Sequence, residues 1–315
     1  MNTTMKAPTR ILVAIDGSEY SQNASRWSFF LTNAIEGELE AETVVDPRIV
    51  DLFLSPEFAE ELGLKASIDA SGNVIKALKK VGTIVLDLWK KDCSQHINNG
   101  QKTHLDVGDT TEEILKRGKG FDLTIVGHRG RGHSQHQPSA SHFRIGSVAE
   151  RVAVGSAKSV LIAMQPPEEV ETILVAYDGS EPAKGALLLG EQLAIATKKR
   201  LKALYAVPEE KMMPGANSVV EMGAALLRNY EGIFEDEIGD YGTMETKEQR
   251  AKFLKDEVFE IWSGPPAKTI LKRAAELKSL LVIGAYGFKD PEENVLGSTT
   301  TNVIRATRTS VLVYK

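Results

Sequence analysis

One pattern of apolar runs and glycines occurs twice in this chain, in the same order, and it constrains the fold more than any other feature. The first copy begins with ILVAIDGSE at 11–19, and the second begins with ILVAYDGSE at 173–181. Each copy closes with a β-rich run, at 159–163 and at 310–314. A chain of 315 residues is long enough for two cores of ordinary domain size. The repeat therefore predicts two successive domains of the same fold.

The domain boundary is predicted where two prolines and two glutamates interrupt the pattern directly after a strand, in QPPEE at 165–169. We assign 1–165 to the first domain, 166–170 to a linker and 171–315 to the second domain. The first copy also contains an expanded, histidine-rich loop at 131–145, which is longer than its counterpart in the second copy.

Short runs rich in Val, Ile and Leu alternate with longer amphipathic stretches, which is typical of βα units and of a parallel sheet covered on both faces. The predicted fold class is α/β, with two tandem open, mostly parallel five-stranded sheets and helices on both faces. The strands are predicted near 11–15, 41–45, 102–107, 122–126, 159–163, 172–177, 201–207, 257–262, 280–283 and 310–314. Two stretches, 46–72 and 208–250, fit no single strand or helix, and we expect partly helical excursions over the ligand-binding edge.

Composition and charge exclude several classes of protein. The formal net charge of -5 and the sequence pI of about 5.8 provide no broad basic field for nucleic acid. No apolar run reaches the roughly 18 residues that a membrane span needs, and residues 1–10 lack the apolar core of a signal peptide. The single cysteine, Cys93, cannot form an internal disulfide, and we expect it to be a small core residue. These features together predict a cytoplasmic protein.

Each copy places an Asp-Gly-Ser turn directly after its first predicted strand, at Asp16 and at Asp178. Ligands of open parallel sheets bind beyond the carboxyl ends of the strands, so both aspartates should border a cleft. A carboxylate there can accept hydrogen bonds from ribose hydroxyls or from an adenine amino group. An Asx turn or a helix cap explains the same residues without a ligand, and this alternative remains open.

Glycines follow the fourth strand of each copy, at Gly127 and Gly130 and at their second-copy counterparts. Without side chains they would let a phosphate approach the backbone amides, and the Gly-Ser pair at Gly146 would open a helix whose dipole favours an anion. The sequence predicts a phosphate cradle in each copy. SVAE at 147–150 also fits a self-sufficient capping box that needs no ligand.

In the second copy the spacing Gly284-x2-Gly287-x9-Gly297-Ser298 resembles the G-2x-G-9x-G(S/T) signature of nucleotide-binding universal stress proteins. The first copy has the same elements with a six-residue expansion between the second and third glycines. The resemblance extends from about Arg10 to the end of the chain.

This resemblance implies adenine-nucleotide alpha-hydrolase-like domains with strand order 3-2-1-4-5 and ATP or AMP in the cleft. The first-strand aspartate would lie near the ribose or base, and the end of the second strand, at Val44-Val45 and Ala206-Val207, would border the adenine. The predicted nucleotide-binding residues are Ala176, Asp178, Ala206, Val207, Gly284, Gly287, Gly297, Ser298 and Thr299 in the second copy, and Asp16, Val45, Gly127, Arg129, Gly130, Gly146 and Ser147 in the first.

The two copies depart from the family pattern in different ways. The second has three acids and one lysine in its phosphate-loop insert at 288–294, which should repel a triphosphate unless Mg²⁺ accompanies it. The first offers Arg129, Arg131 and Arg144 near its loop, but its spacing is altered. We therefore favour the second copy as the nucleotide site, for AMP or Mg²⁺-bound ATP.

Four of the six histidines, His128, His133, His136 and His142, lie in or beside the expanded loop. A transition metal or a pH sensor is conceivable there, but no acidic or cysteine partner accompanies them, so we predict no metal site. Neither a dinucleotide fingerprint, nor a phosphate-loop Gly-Lys-Ser/Thr, nor a catalytic triad is present. We predict no catalytic residues and, at most, slow ATP hydrolysis.

The favoured hypothesis is a tandem universal stress protein that binds ATP or AMP as a sensor in a stress response. Its two halves would pair through their last strands as a pseudo-dimer, and a homodimer and an unknown protein partner are further expectations. A second hypothesis is an assembly scaffold in which one or both nucleotide sites are vestigial. A third is a nucleotide-handling hydrolase or transferase with a metal on Asp178.

Overall fold

The computed structural model describes residues 8–48, 68–97, 101–130, 145–227, 230, 247–288 and 295–315. Most of the expanded loop and of the acidic insert lies outside these ranges, as do His133, His136, His142, Arg131 and Arg144. The strands are β1 (Arg10–Ala14), β2 (Glu38–Val45), β3 (Lys102–Val107), β4 (Leu123–Gly127), β5 (Ser159–Ala163), β6 (Thr172–Ala176), β7 (Arg200–Val207), β8 (Phe259–Ser263), β9 (Ser279–Gly284) and β10 (Val311–Tyr314).

The α-helices of the described residues alternate with these strands. They are α1 (Glu19–Ile35), α2 (Ile68–His96), α3 (Thr110–Gly118), α4 (Ser147–Gly155), α5 (Glu181–Thr197), α6 (Met213–Leu226), α7 (Lys247–Val258), α8 (Pro266–Glu276) and α9 (Ser298–Ala306). All ten predicted strands are present, with ends shifted by up to three residues. The stretch 208–250 is partly helical, through a 3-10 turn at Glu210–Met212, α6 and the start of α7. The stretch 46–72 falls mostly outside the described residues.

All ten strands form one sheet in the order β3-β2-β1-β4-β5-β10-β9-β6-β7-β8. Within each half the strands are parallel and follow the expected order 3-2-1-4-5. The two sheets predicted separately are continuous, because β5 and β10 pair antiparallel, with Leu312 opposite Leu161. The predicted pairing of the two last strands is therefore confirmed.

The sheet is buried on both faces, which explains why its strands are continuous apolar runs. Along β1, Ile11 and Val13 pack into the core cluster on one face, whereas along β9 Leu281 and Ile283 pack into the cluster on the other. Burying each such side chain contributes about 1.5–3 kcal/mol of hydrophobic free energy. Cys93 is fully buried in the first cluster, as predicted, and burial raises the pKa of its thiol to about 12.

Polar contacts near the junction of the two repeats involve Gln165. Its side-chain oxygen accepts from Ser310 N at 2.7 Å, and its carbonyl accepts from Trp27 Nε1 at 2.8 Å. Ser310 Oγ accepts in turn from Met164 N at 3.0 Å. These bonds connect α1, the end of β5 and the start of β10.

Helices α3 and α8 begin with residues that suit a helix start, whereas the start of α4 differs from the sequence expectation. Asp109 caps α3 by accepting from Thr111 N and Glu112 N, and Pro266 occupies the first turn of α8. The capping box considered at 147–150 does not form. The N-cap of α4 is Gly146, and in the part of the chain that the structure describes no side chain caps this helix. Ser147 lies one position too late to act as the cap.

Candidate functional site

A cavity lies beyond the carboxyl ends of the central strands in each repeat, as expected for an open parallel sheet. Cavity one, in the first repeat, has a volume of about 260 Å³, and cavity two, in the second repeat, has a volume of about 810 Å³. Only the second lies well within the range of roughly 300–1,000 Å³ common for small-molecule sites.

Most of the residues proposed from sequence line these cavities. Cavity two is lined by Ala176, Asp178, Ala206, Gly284, Gly287, Gly297, Ser298 and Thr299, and cavity one by Asp16, Gly127, Arg129, Gly130, Gly146 and Ser147. Val45 and Val207 do not line them. Neighbouring side chains of a strand point to opposite faces, so Val44 and Ala206 line the cavities and the next residue does not.

Both Asp-Gly-Ser turns have the same local geometry. Gly17 and Gly179 have φ angles of 78° and 86°, in the left-handed region that favours glycine. Asp16 Oδ1 accepts from Ser18 N at 2.9 Å, and Asp178 Oδ1 accepts from Ser180 N at the same distance. The Asx turn considered as an alternative is therefore present in both repeats.

The other carboxyl oxygen of each aspartate faces the second glycine of the loop after the fourth strand. A Cβ built on Gly130 would lie 2.8 Å from Asp16 Oδ2, and a Cβ on Gly287 would lie 3.5 Å from Asp178 Oδ2. One oxygen of each aspartate thus closes a turn while the other borders the glycine loop.

The three signature glycines of the second repeat lie in three different surroundings. A Cβ on Gly284 would lie 2.9 Å from Pro182 C, so the first glycine permits close packing of the start of α5. The second, Gly287, faces Asp178. The third, Gly297, has φ of -57° and would bring a Cβ no closer than 3.5 Å to the Ala285 carbonyl oxygen, so neither strain nor packing requires glycine there.

Helix α9 begins at cavity two with its first turn uncapped. Gly297 is the N-cap, no side chain of the described residues accepts from the first amides, and Ser298 is exposed. Gly297 N donates to Ala285 O at 2.8 Å, which fixes the helix start against the glycine loop. Free first-turn amides and the positive end of the helix dipole favour an anion at this end of the cavity.

The inner walls of the two cavities differ in polarity. Glu42 lines cavity one at the sheet position that Leu204 occupies in cavity two, since they pair with Ala14 and Ala176 respectively. The Glu42 carboxyl is fully buried, and Arg117 Nε lies 3.2 Å from its Oε1. Burial, and secondarily the Asp106 carboxyl, raise the pKa of Glu42 to about 7, while Arg117 acts in the opposite direction.

Glu42 was not predicted from the sequence, although the two-residue alternation of β2 could have indicated it. The aromatic and apolar wall of cavity two was not predicted either. That wall includes Tyr177, Tyr205, Pro208, Ile270, Tyr286 and Phe288. Leu204 therefore belongs to a mostly apolar inner surface, whereas Glu42 belongs to an ionic cluster with Arg117 and Asp106.

The glycine loop of the first repeat has a buried charge that the second lacks. Arg129 lines cavity one and is largely buried, and Tyr286 occupies its position in the second repeat. The preceding residue, His128, is fully buried, and neither ring nitrogen has a hydrogen-bond partner among the described residues. Burial, followed by the charge of Arg129, lowers the pKa of His128 to about 4.

Within the described part of the chain, no group of three or more His, Cys, Asp or Glu side chains is arranged to hold a metal ion. No helix in these ranges is long and apolar enough to cross a membrane.

Comparisons with known proteins agree with the repeat. The model of the universal stress protein family matches residues 8–163 and again residues 169–315. Over 317 aligned residues the chain is 25% identical to Universal stress protein Slr1230 of a Synechocystis species, covering 97% of this chain and 99% of that protein.

Two solved structures have the same fold over nearly the full length. A universal stress protein from Archaeoglobus fulgidus has a TM-score of 0.64 at 22% identity, with 98% of each chain covered. A putative universal stress protein from Pseudomonas aeruginosa has a TM-score of 0.61 at 15% identity, covering 98% of this chain and 94% of that one. Because the family model matches both halves, the chain belongs to the universal stress protein family, as two tandem copies of its domain.

Proposed function

We propose that the chain binds an adenine nucleotide, ATP or AMP, in cavity two and acts in the cytoplasm as a nucleotide-dependent regulator of a stress response. One observation carries the proposal. The complete glycine signature surrounds the uncapped start of α9 at the mouth of a cavity of about 810 Å³.

Different parts of cavity two suit the different parts of a nucleotide. The apolar inner wall suits a purine base, and the uncapped amides of α9 suit a phosphate. Asp178 lines the same cavity, with one carboxyl oxygen facing Gly287, and can accept from a ribose hydroxyl. Glycine at 297 is required by neither strain nor packing within the protein, and it leaves these amides open to close approach.

Cavity one is a poorer site for the same ligand. It is smaller, and Glu42, which forms an ionic cluster with Arg117 and Asp106, interrupts its otherwise largely apolar lining with a buried carboxyl. Burying an adenine against such a cluster costs solvation without a matching gain in apolar contact. Arg129 favours a phosphate at its outer end, so weak binding of anions is compatible with the proposal.

Mg²⁺ would enter cavity two with ATP rather than as a resident metal. In the sequence, three acids and one lysine at 288–294 precede Gly297, and AMP or Mg²⁺-bound ATP tolerates nearby negative charge better than free ATP does. We therefore expect tighter binding of ATP with Mg²⁺ than without it, and little dependence of AMP binding on Mg²⁺.

The test begins with nucleotide released from gently purified protein and identified by mass spectrometry. Titration calorimetry with ATP and AMP then compares the wild type with Gly297→Trp and with the matched variant Gly146→Trp, after circular dichroism has shown that both fold. Loss of nucleotide only in the Gly297 variant would support cavity two. Loss only in the Gly146 variant would move the site to cavity one.

A scaffold with vestigial sites is the second candidate, because the buried Glu42 carboxyl in cavity one already departs from what a base requires. If the chain is such a scaffold, the purified protein should contain no nucleotide and should have no measurable affinity for ATP or AMP. A hydrolase would need Mg²⁺-dependent turnover that Asp178→Ala abolishes, and turnover at background would dismiss it.

A further inference from the structure

Helix α2 exposes an apolar stripe beside the face that packs on the sheet. Among the large apolar side chains that are exposed in the described residues, four belong to this helix, with exposed fractions of 38% for Val74, 41% for Val81, 50% for Ile84 and 63% for Leu88. Ala77 is also exposed. We call these five residues the α2 stripe: Val74, Ala77, Val81, Ile84 and Leu88.

The spacing of the α2 stripe is that of a coiled-coil seam. Successive members are separated by alternating steps of three and four residues, which is the a/d pattern of a heptad repeat. The buried face of the same helix uses other positions, including Leu86, Trp89 and Cys93, so packing on the sheet does not explain the stripe. A second apolar seam on one helix indicates a second partner.

The fold itself does not require this stripe. In the second repeat, α6 and α7 occupy the same place in the chain, between the second and third strands. Among their described side chains, Met222 is the only large apolar one that is exposed. Within the residues that the structure describes, the stripe is therefore a property of the first repeat alone.

Charges beside the stripe are complementary to a second copy of the same helix. Lys80 and Asp87 are both exposed, and each immediately precedes a stripe residue, so both lie along the same edge of the seam. In an antiparallel pair Val81 faces Ile84 of the second copy, and Lys80 then faces Asp87 of the second copy. Two-fold symmetry forms this ion pair twice.

A parallel pair lacks this complementarity. It would place Lys80 opposite Val85, which is half-buried and apolar. We propose that the α2 stripe is the docking surface for a second copy of this chain, through an antiparallel pair of α2 helices.

The length of the seam sets the expected strength of this dimer. From Val74 to Leu88 the helix rises about 21 Å, at roughly 1.5 Å per residue. A two-helix contact of this length buries less than the roughly 1,600 Å² of a standard stable interface. The dimer should therefore be reversible and depend on concentration, with a dissociation constant in the micromolar range or weaker.

The first experiment measures mass against concentration by sedimentation equilibrium on the full chain. The wild type should pass from monomer towards dimer as its concentration rises. Ile84→Glu should stay monomeric throughout the same range, because it buries a carboxylate in the seam. The matched control Met222→Glu, an exposed apolar residue of α6, should behave as the wild type does. Thermal unfolding of each variant checks that it is folded.

A charge exchange tests the partner and its orientation. Lys80→Asp and Asp87→Lys should each weaken the dimer about tenfold, because each places like charges together, and the double variant should recover most of the wild-type affinity. Three outcomes would overturn the proposal: a wild type that is monomeric at every concentration, a dimer that Ile84→Glu leaves intact, or a double variant no stronger than the single ones.

Discussion

Asp178 Oδ2 lies 3.5 Å from the position that a Cβ would take on Gly287, whereas Asp16 Oδ2 lies only 2.8 Å from the equivalent position on Gly130. The same aspartate and glycine therefore stand further apart in the second repeat than in the first. The larger separation agrees with the larger volume of cavity two. We therefore expect the same substitution to have different effects at Gly130 and at Gly287.

The first prediction concerns the stability of variants at two of the signature glycines. Gly284→Ala should lower the free energy of unfolding by about 1–3 kcal/mol, because the new methyl group would lie 2.9 Å from the backbone of Pro182. Gly297→Ala should change it by less than about 1 kcal/mol, because its Cβ would meet only ordinary contacts. Urea unfolding measures both. If Gly297→Ala lost as much free energy of unfolding as Gly284→Ala, close packing would not be the reason for glycine at 284.

The second prediction concerns Asp178 and the proposed ligand. Asp178→Asn keeps an oxygen that can accept from Ser180 N, so the turn should persist while the negative charge is lost. If the carboxylate accepts from a ribose hydroxyl, the affinity for AMP should fall about tenfold. Asp16→Asn is the matched control and should leave the affinity unchanged. Equal losses in both variants, measured by calorimetry, would contradict binding in cavity two.

The third prediction follows from the raised pKa of Glu42. In the folded protein this carboxyl has a pKa of about 7, against an ordinary value of 4.5, so the folded state retains a proton that the unfolded chain releases. Its contribution to stability therefore falls as pH rises from 4.5 to 7, by on the order of 3 kcal/mol. Glu42→Gln should remove this slope and gain stability over the wild type as pH rises. Unfolding in urea at pH 5 and pH 8 tests it, and parallel pH profiles would refute it.

The fourth prediction has the opposite sign, at His128. Its pKa in the folded protein is about 4, against an ordinary value of 6.5, so the unfolded chain takes up the proton first. Stability should fall as pH drops from 6.5 towards 4, by on the order of 3 kcal/mol. His128→Ala introduces the residue found at the equivalent Ala285 and should flatten this part of the profile. An unchanged acid slope in the variant would exclude His128 as its source.

The fifth prediction concerns the junction of the repeats. Gln165→Ala removes the acceptor of Ser310 N, whose residue is buried, and should cost about 1–3 kcal/mol. Glu150→Ala, at the same junction, breaks an ion pair with the largely exposed Arg305 and should cost less than about 1 kcal/mol. Differential scanning calorimetry compares the two, and similar losses would contradict the argument.

Most of the fold was predictable from the sequence. The repeat indicated two similar domains, and the apolar runs indicated buried strands. The strands and the α/β class were recoverable from two-residue and helical periodicity, and the strand order came from the resemblance carried by Gly284, Gly287 and Gly297. The start of α4 was not recoverable, since Gly146 and Ser147 are both acceptable caps and only backbone geometry distinguishes them.

The candidate site was predicted where glycines and aspartates mark turns, and it was missed where side-chain direction decides. The pairs Val44-Val45 and Ala206-Val207 were expected beside the adenine, yet strand alternation turns only Val44 and Ala206 of these pairs to the cavities. Glu42 was overlooked because Glu38, Glu40 and Glu42 alternate along β2, and such a row looks like a solvated strand face until both faces of the sheet are known to be covered.

The antiparallel pairing of β5 with β10 reverses the direction of every strand in the second half relative to the first. Carboxyl ends of the two sets of strands consequently emerge on opposite rims of the molecule, and so do the two cavities. No single small ligand can bridge them, and a protein that docks over one mouth leaves the other uncovered. The two cavities of the tandem chain are therefore accessible independently of one another, from opposite rims.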